Sequence, residues 1–317
     1  MHFFQKYDED GFEVIELDND EISVKIVVNI GNTLFSLKQH DDEKMYFPFS
    51  FEEYQSNQKL AGNPLMHPWA NRLESDAILI ENQLHSFPED KLHLIYRDGN
   101  NLPLHGLLLK TDKWKTIDLH EDAQTCYHIA ELVFDAADWL SIFPFVHKIQ
   151  VKHQLQKNEL KIETTIINHD EKPMPVSFGF HPYFLIDSTS RHQYSLVIPA
   201  ENVIETNEVM IPNGKLIQKE KLFNFQNHQI NLNGMALDNG FQDLILNEKN
   251  QVVFSLNDMK IVFDKNYAFA QIYAPDNIGK PYVCIEPMTA ATNAINRNTC
   301  KMLAKNEAFT AGFSIVL

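Results

Sequence analysis

Ile149-Gln-Val-Lys-His-Gln-Leu-Gln-Lys-Asn-Glu-Leu-Lys-Ile-Glu-Thr-Thr-Ile166 is the stretch from which the fold class can be read. Ile149, Val151, His153 and Leu155 alternate with Gln150, Lys152 and Gln154. After a turn at Lys157-Asn158 the period of two resumes through Leu160, Ile162, Thr164 and Ile166. Successive side chains of a strand point to opposite faces, so this is a hairpin with one dry and one wet face. The pattern recurs in both directions along the chain. Ile22, Val24 and Ile26 alternate with Ser23 and Lys25. Val252–Leu256 and Lys260–Phe263 make a second strand pair around Asn257-Asp258, and a last apolar strand runs from Phe309 to Leu317, interrupted at Gly312.

Turn chemistry agrees. Asp98-Gly99, Asn213-Gly214, Asn233-Gly234 and Asn239-Gly240 are dipeptides that favour tight turns with positive φ. Helical stripes are scarce: Glu52–Leu60 and Ala136–Ile142 are short candidates without a clear cap. A doubly wound α/β fold needs long helices between its strands, which disfavours it here. There is no short repeat, low-complexity tract or Pro/Gly/Ser linker. The expectation is an all-β chain of large antiparallel sheets with few short helices, organised as a single domain over residues 1–317.

Composition narrows the function. The 317 residues are 44% hydrophobic and 22% charged, a globular balance, with a formal net charge of -16. That acidity argues against a nucleic-acid partner, which needs a basic surface, and against an anionic membrane surface. Cys126, Cys284 and Cys300 are odd in number, widely spaced and free of any CxxC pair, so no disulfide framework is expected and the cytoplasm is the default compartment. The N-terminus turns acidic before a signal-like apolar core develops, and no window approaches a membrane span.

Five segments hold polar side chains in stiff, apolar settings. In Val176-Ser-Phe-Gly-Phe-His-Pro-Tyr-Phe184, Pro182 pushes His181 toward an extended backbone, and Gly179 permits close approach of other backbone or a ligand. His181 is an acid, a ligand or a core donor. Gly62–Leu73 carries two prolines and Trp69, a platform from which Arg72 either holds ligand hydroxyls or fixes a carboxylate; His67, before Pro68, reads as packing or support. In Leu102–Leu108, His105 is the one titratable group of an apolar run, and its ordinary reading is a satisfied core residue. Asp238 precedes Asn239-Gly240, where its commonest job is to cap a turn. Glu286 ends an apolar strand-like run before Pro287; a carboxylate there is expensive unless paired or functional. Convergence of two histidines, two carboxylates and an arginine would make an acid/base cleft with aromatic walls. A metal triad from His105, His181 and a carboxylate is the alternative, without HExxH-type spacing behind it.

Asn71-Arg72, Leu104-His105-Gly106, Phe178-Gly179-Phe180-His181-Pro182-Tyr183-Phe184, Leu237-Asp238-Asn239-Gly240-Phe241 and Ile285-Glu286-Pro287-Met288-Thr289, in that order, resemble the aldose 1-epimerase (galactose mutarotase) family. The resemblance runs from about Asn63 to Asn296. It implies a β-supersandwich that interconverts the α and β anomers of free aldoses with no metal or organic cofactor. By motif it implies Glu286 as general base, His181 as general acid, His105 assisting at the ring oxygen, and Arg72, Asn71 and Asp238 positioning the sugar. The residue types suit that chemistry, because opening a hemiacetal needs one proton taken and one given. Nearby Glu286 and Asp238 are expected to favour the charged form of His181. The partner is then a small-molecule sugar, with no nucleic acid or membrane; oligomeric state is not legible. A silent sugar-binding module, a glycosidase using Asp238 and Glu286, and a hexose-phosphate mutarotase are the other readings. The last would need a basic cluster at the cleft, and Lys110, Lys113 and Lys115 read more simply as a solvated face.

Overall fold

A computed structural model describes residues 2–276 and 279–317. The hairpin is present: His147–Gln156 pairs with Glu159–Asn168, Ile149 opposite Ile166 and Leu155 opposite Leu160, with the inward set buried on both strands. It belongs to a nine-stranded antiparallel sheet in the order Gln229–Asn231, Ser195–Val197, Gln251–Leu256, Met259–Asp264, Ala308–Val316, Glu159–Asn168, His147–Gln156, Cys126–Phe134 and Lys115–Glu121. A second, eight-stranded sheet runs Pro212–Gln218, Ala200–Thr206, Leu237–Leu244, Phe269–Ala274, Tyr282–Met288, Gly179–Phe180 and Leu65–Met66, with Tyr183–Leu185 also paired to Tyr282–Met288. A five-stranded meander, Phe3–Glu9, Phe12–Asp18, Ile22–Val27, Thr33–Gln39 and Asp42–Glu43, opens the chain.

The main core lies where the two large sheets face each other. Phe180 meets Phe313 at 5.2 Å between ring centroids, and Phe178 meets Phe309 at 6.1 Å. Ile272, Val283, Ile285 and Phe241 of the eight-stranded sheet share this core with Ile162, Phe263 and Ile315 of the nine-stranded one. Removing one such phenylalanine ring costs about 3–5 kcal/mol. The architecture is the expected antiparallel β-supersandwich. Its helices are short, Phe51–Ser56, Ala137–Leu140 and Lys219–Leu222, and among the described residues none is long and apolar enough to cross a membrane.

Several local expectations need correction. Asn239-Gly240 is not a turn. Leu237–Leu244 is one continuous strand, with Asp238 opposite Tyr273 and Gly240 opposite Gln271, so Asp238 caps nothing and projects from the sheet. Nor does Gly312 interrupt the last strand. It pairs with Glu163 within Ala308–Val316, and its N–H donates to Asp264 Oδ2 at 2.6 Å. At Asp98-Gly99 the positive φ falls on Asn101 instead, because the Asp98 carboxylate accepts from the N–H groups of Asn100 and Leu102. Helix Phe51–Ser56 does have a cap: Ser50 and Glu53 form a reciprocal capping box, and that S-x-x-E spacing was visible in the sequence.

Two loops are tied together beside the eight-stranded sheet. His105 N–H donates to Asn71 O at 2.9 Å, Leu107 N–H to His67 O at 2.7 Å, and Leu73 N–H to Pro103 O at 2.9 Å. Gly106 makes this possible. Its φ is +76°, and a Cβ there would lie 2.1 Å from the His67 carbonyl oxygen. Gly11 has a similar φ of +86° with open space around it. Gly106→Ala should therefore lower stability by well over 1 kcal/mol, and Gly11→Ala by only about 1 kcal/mol. Urea unfolding midpoints of the two variants check this; equal shifts would show that the loop contact is not what Gly106 serves.

Candidate functional site

The strand Tyr282–Met288 is buried on both faces. Val283 and Ile285 enter the core between the sheets, while Tyr282, Cys284 and Glu286 point the other way. On that outer face the register sets side chains in two rows. Glu286 lies opposite Gln271, and Gln271 opposite Gly240; Tyr183 lies opposite Cys284, Cys284 opposite Tyr273, and Tyr273 opposite Asp238. His181, between Gly179–Phe180 and Tyr183–Leu185, falls beside Glu286, its N–H bound to Pro64 O at 3.1 Å. Gly179 meets backbone: a Cβ there would be 2.4 Å from Pro287 O.

Above these rows the tied loops bring Asn71, Arg72, Tyr96, Asp98 and His105, enclosing a cleft of about 380 Å³. That is at the small-molecule end of ligand cavities. All six residues singled out in the sequence, Glu286, His181, His105, Arg72, Asn71 and Asp238, line it. His67 does not. Its ring is buried against His147, Nε2 to Nε2 at 2.7 Å, as support beneath the loop.

His181 Nε2 sits 3.3 Å from Glu286 Oε1, and both side chains are nearly solvent-free. His181 stacks on Tyr183 at 4.4 Å, and His105 meets its edge at 5.1 Å and 90°. Glu286 Oε2, His181 Nδ1 and His105 Nδ1 are buried without a hydrogen-bond partner. Burial sets the electrostatics, since it disfavours every charged form. It pushes the Glu286 carboxyl well above the usual carboxylate range, helped by Asp238. It also pushes His181 down to about 3, helped by the Arg72 cation, and His105 well below an ordinary histidine. In the free protein, therefore, desolvation outweighs the neighbouring carboxylates, contrary to the expectation of a charged His181.

Of the two roles its sequence context allowed, Arg72 takes that of fixing a carboxylate, and it does so on the wall of the cleft. Nε donates to Asp98 Oδ2 at 2.7 Å, Nη1 donates to Asn71 Oδ1 at 3.1 Å, and Nη2 faces Asp238 Oδ2 at 3.9 Å. Gln271 Nε2 donates to Asp238 Oδ1 at 2.6 Å. Burial raises the Asp238 carboxyl, with Arg72 and Gln271 opposing the shift. Arg72 and the Asp98 turn hold Asp98 below the usual range despite its burial.

Asp98, Gln271, Tyr273, Tyr96 and Lys280 line the cleft and were not singled out as site residues. Asp98 had been read only as a turn residue, and Gln271 and Tyr273 alternate with apolar residues like the wet face of any strand. The lysines proposed as a solvated face divide. Lys113 and Lys115 are exposed, but Lys110 is half-buried, its ammonium donating to the carbonyls of Tyr54, Asn57 and Lys59 and lying over the Tyr54 ring. None of the three lines the cleft. The metal alternative finds no geometry: among the described residues no three His, Cys, Asp or Glu side chains are arranged to hold an ion.

Comparison with known proteins agrees with this architecture. Residues 13–315 match the family model described as aldose 1-epimerase. The uncharacterized protein YihR of Escherichia coli K12 is 22% identical over 240 residues, 74% of this chain and 73% of that protein. A galactose mutarotase-like protein from Clostridium acetobutylicum superposes with a TM-score of 0.84 at 18% identity, covering 99% of this chain and 98% of the other. A galactose 1-epimerase from Lactobacillus acidophilus NCFM gives 0.76 at 18% identity, covering 100% and 98%. At these identities the solved structures speak for the fold, and the family model for kinship. The chain belongs to the aldose 1-epimerase family, whose name is that of an isomerase activity.

Proposed function

We propose that this protein interconverts the α and β anomers of aldohexoses by opening and reclosing the sugar ring. The observation that carries the reading is the buried 3.3 Å contact between His181 Nε2 and Glu286 Oε1 on the cleft floor. In a cyclic hemiacetal the anomeric hydroxyl oxygen and the ring oxygen are both bonded to C1. The groups that exchange protons with them must therefore be neighbours as well.

Ring opening begins when Glu286 takes the proton of the anomeric hydroxyl and that O–H pair becomes the second C1–O bond. The C1–O5 bond breaks, and its electrons take a proton from His181 Nε2. Rotation about C1–C2 presents the other face of the aldehyde, and the two transfers run backwards to close the ring. His105, edge-on to His181, assists at the ring oxygen. Arg72, Asn71 and Asp238 position hydroxyls, the last held by Gln271. Tyr183, Tyr96 and Tyr273 supply apolar walls for the sugar faces. Asp238 is less suited to the glycosidase reading, because one oxygen is bound by Gln271 and the other faces Arg72.

Glu286→Gln removes the proton acceptor with little change of shape, and the catalysed rate should fall about 10²–10⁴-fold. Polarimetry of freshly dissolved α-D-glucose and α-D-galactose measures it; wild-type rates in the variant would sink the assignment. If the wild type is inert while still binding these sugars, the silent binding module is the better account.

The pair also sets a pH dependence. Catalysis needs one proton shared between Glu286 and His181. With ordinary values that state is lost as the histidine deprotonates. Here burial raises Glu286 and lowers His181, which widens the one-proton window on both sides. Above the raised Glu286 pKa the pair holds no proton, and below about 3 it holds two. Catalysed kcat/KM, corrected for the spontaneous reaction, should stay level as the pH rises through about 6.5, where an ordinary histidine loses its proton. An inflection near the pH of a free histidine would contradict this.

A further inference from the structure

His181 is held differently from most histidines that pass protons. Such a ring ordinarily makes a hydrogen bond through one nitrogen, which fixes its orientation and tautomer while the other nitrogen works. His181 presents Nε2 to Glu286 Oε1 at 3.3 Å, but among the described residues its buried Nδ1 has no hydrogen-bond partner. The one backbone group that bears on its proton belongs to His181 itself, and a contact within one residue does not fix a ring against the rest of the fold. The Glu286 contact remains, and a single contact at one corner leaves a ring free to tilt about it.

The plane of the ring is set by something else. His181 and Tyr183 stand either side of Pro182, and residues two apart in extended chain share a face. Their rings lie 4.4 Å apart between centroids and 11° from parallel. Tyr273, the other tyrosine beside His181, is 6.3 Å away and steeply inclined at 75°, so it does not stack. Tyr183 itself is only 6% exposed. Its N–H donates to Gly62 O at 2.9 Å, its carbonyl accepts from Tyr46 N–H at 2.8 Å, and its ring meets Tyr282 at 5.0 Å and 74°. A flat surface held this firmly transmits its orientation to whatever lies on it. Stacking fixes a plane but not an edge: a half-turn about Cβ–Cγ would keep the plane and put a ring carbon where Nε2 stands. Glu286 selects the edge, so the two contacts are complementary.

We propose that Tyr183 is a positioning residue for proton transfer, its ring stacked on His181 doing what a hydrogen bond at Nδ1 does for other catalytic histidines. The proposal rests on the mutarotase reading above. It assigns the effect to the flat ring of Tyr183 and not to its hydroxyl.

The test compares Tyr183→Leu with Tyr183→Phe. Polarimetry of α-D-glucose and α-D-galactose should show kcat about 10- to 100-fold lower in Tyr183→Leu with KM little changed, as expected when a reacting group is misplaced while the sugar still binds. Tyr183→Phe, which keeps the ring, should restore most of kcat. NMR reads the stack directly. The ring C–H resonances of His181, assigned by their loss in His181→Gln, lie over the tyrosine face; they should be shifted upfield in wild type and Tyr183→Phe and return toward ordinary positions in Tyr183→Leu. Wild-type kcat in Tyr183→Leu overturns the proposal. So does a Tyr183→Phe enzyme as slow as Tyr183→Leu, which would assign the effect to the hydroxyl, or a raised KM at unchanged kcat, which would leave Tyr183 a sugar contact only. Should Tyr183→Leu not fold, Tyr183→Met, whose flexible chain fills space without a ring, is read in the same way. Inertness of the wild type toward both sugars refutes the mutarotase reading instead. The anchor is then judged by NMR alone: one sharp His181 set in wild type that broadens or doubles without the tyrosine ring upholds it, and an unchanged set refutes it.

Discussion

A carboxylate built into a strand that is buried on both faces is the constraint from which the rest of the site follows. Tyr282–Met288 lies inside the sheet, with the intersheet core on one side and the cleft on the other. Desolvating an isolated carboxylate there is far more costly than any single packing gain, so the group must find a proton or a partner. Glu286 has both within reach, because the chain returns at Gly179–Phe180 and lays His181 against it. The hydrophobic fold and the polar pair are not separate designs. Ile285 and Val283 anchor the strand whose alternate residue is the buried acid, and Phe180 anchors the segment that delivers the histidine.

The same logic extends to the loops. Arg72 reaches over the cleft from a segment with no strand of its own, and a long flexible side chain held only at one end would lose much of its positioning value. Here its guanidinium donates to Asp98 and Asn71 and faces the Asp238 carboxylate at 3.9 Å. Asp98 is itself fixed by two backbone N–H groups of its own turn. Asp238, from the far strand, is held by Gln271. The chain Asp98–Arg72–Asp238–Gln271 therefore joins two loops to two strands, and a planar fork that matches several acceptors at once is what lysine could not replace. The left-handed backbone at Asn71 and His105, with φ of +60° and +61°, belongs to the same bracing: strain of this kind persists where the surroundings determine the conformation.

Legibility in the sequence followed the strength of each local signal. The long hairpin was readable because its period of two runs along both arms, broken only at the Lys157-Asn158 turn, and nothing competes with it. Glu286 and His181 were readable because each is a polar group in a setting that makes it expensive. Asp238 was found, but its surroundings were misread: Asn-Gly is a turn signal only where the chain is free to turn, and cross-strand pairing with Phe269–Ala274 kept this one extended. Gly312 failed as a strand break for the same reason. Gln271, Tyr273 and Lys280 carry no local oddity at all. What makes them part of the cleft is the pairing of Phe269–Ala274 between two other strands, and that is a property of the assembled sheet. Lys110 was placed on a solvated face because a run of lysines predicts one; the carbonyls at the end of a short helix drew its ammonium inward instead.

The opposed shifts of Glu286 and His181 bear on the proposed reaction as well as on stability. Burial favours the carboxylic acid beside the neutral imidazole, which in that proposal is the state of the pair once a ring has opened. The state that starts the opening differs only by moving one proton across the 3.3 Å contact. Neither direction then requires a proton from solvent, and neither changes the net charge of the pair. A low-dielectric site punishes net charge far more than it punishes the redistribution of a proton between neighbours. For a reaction that returns its substrate to a closed ring of the other configuration, such a site need favour neither direction. Two buried groups with one proton between them can serve opening and closing equally, and the same burial that makes Glu286 costly in the strand makes it usable in the cleft.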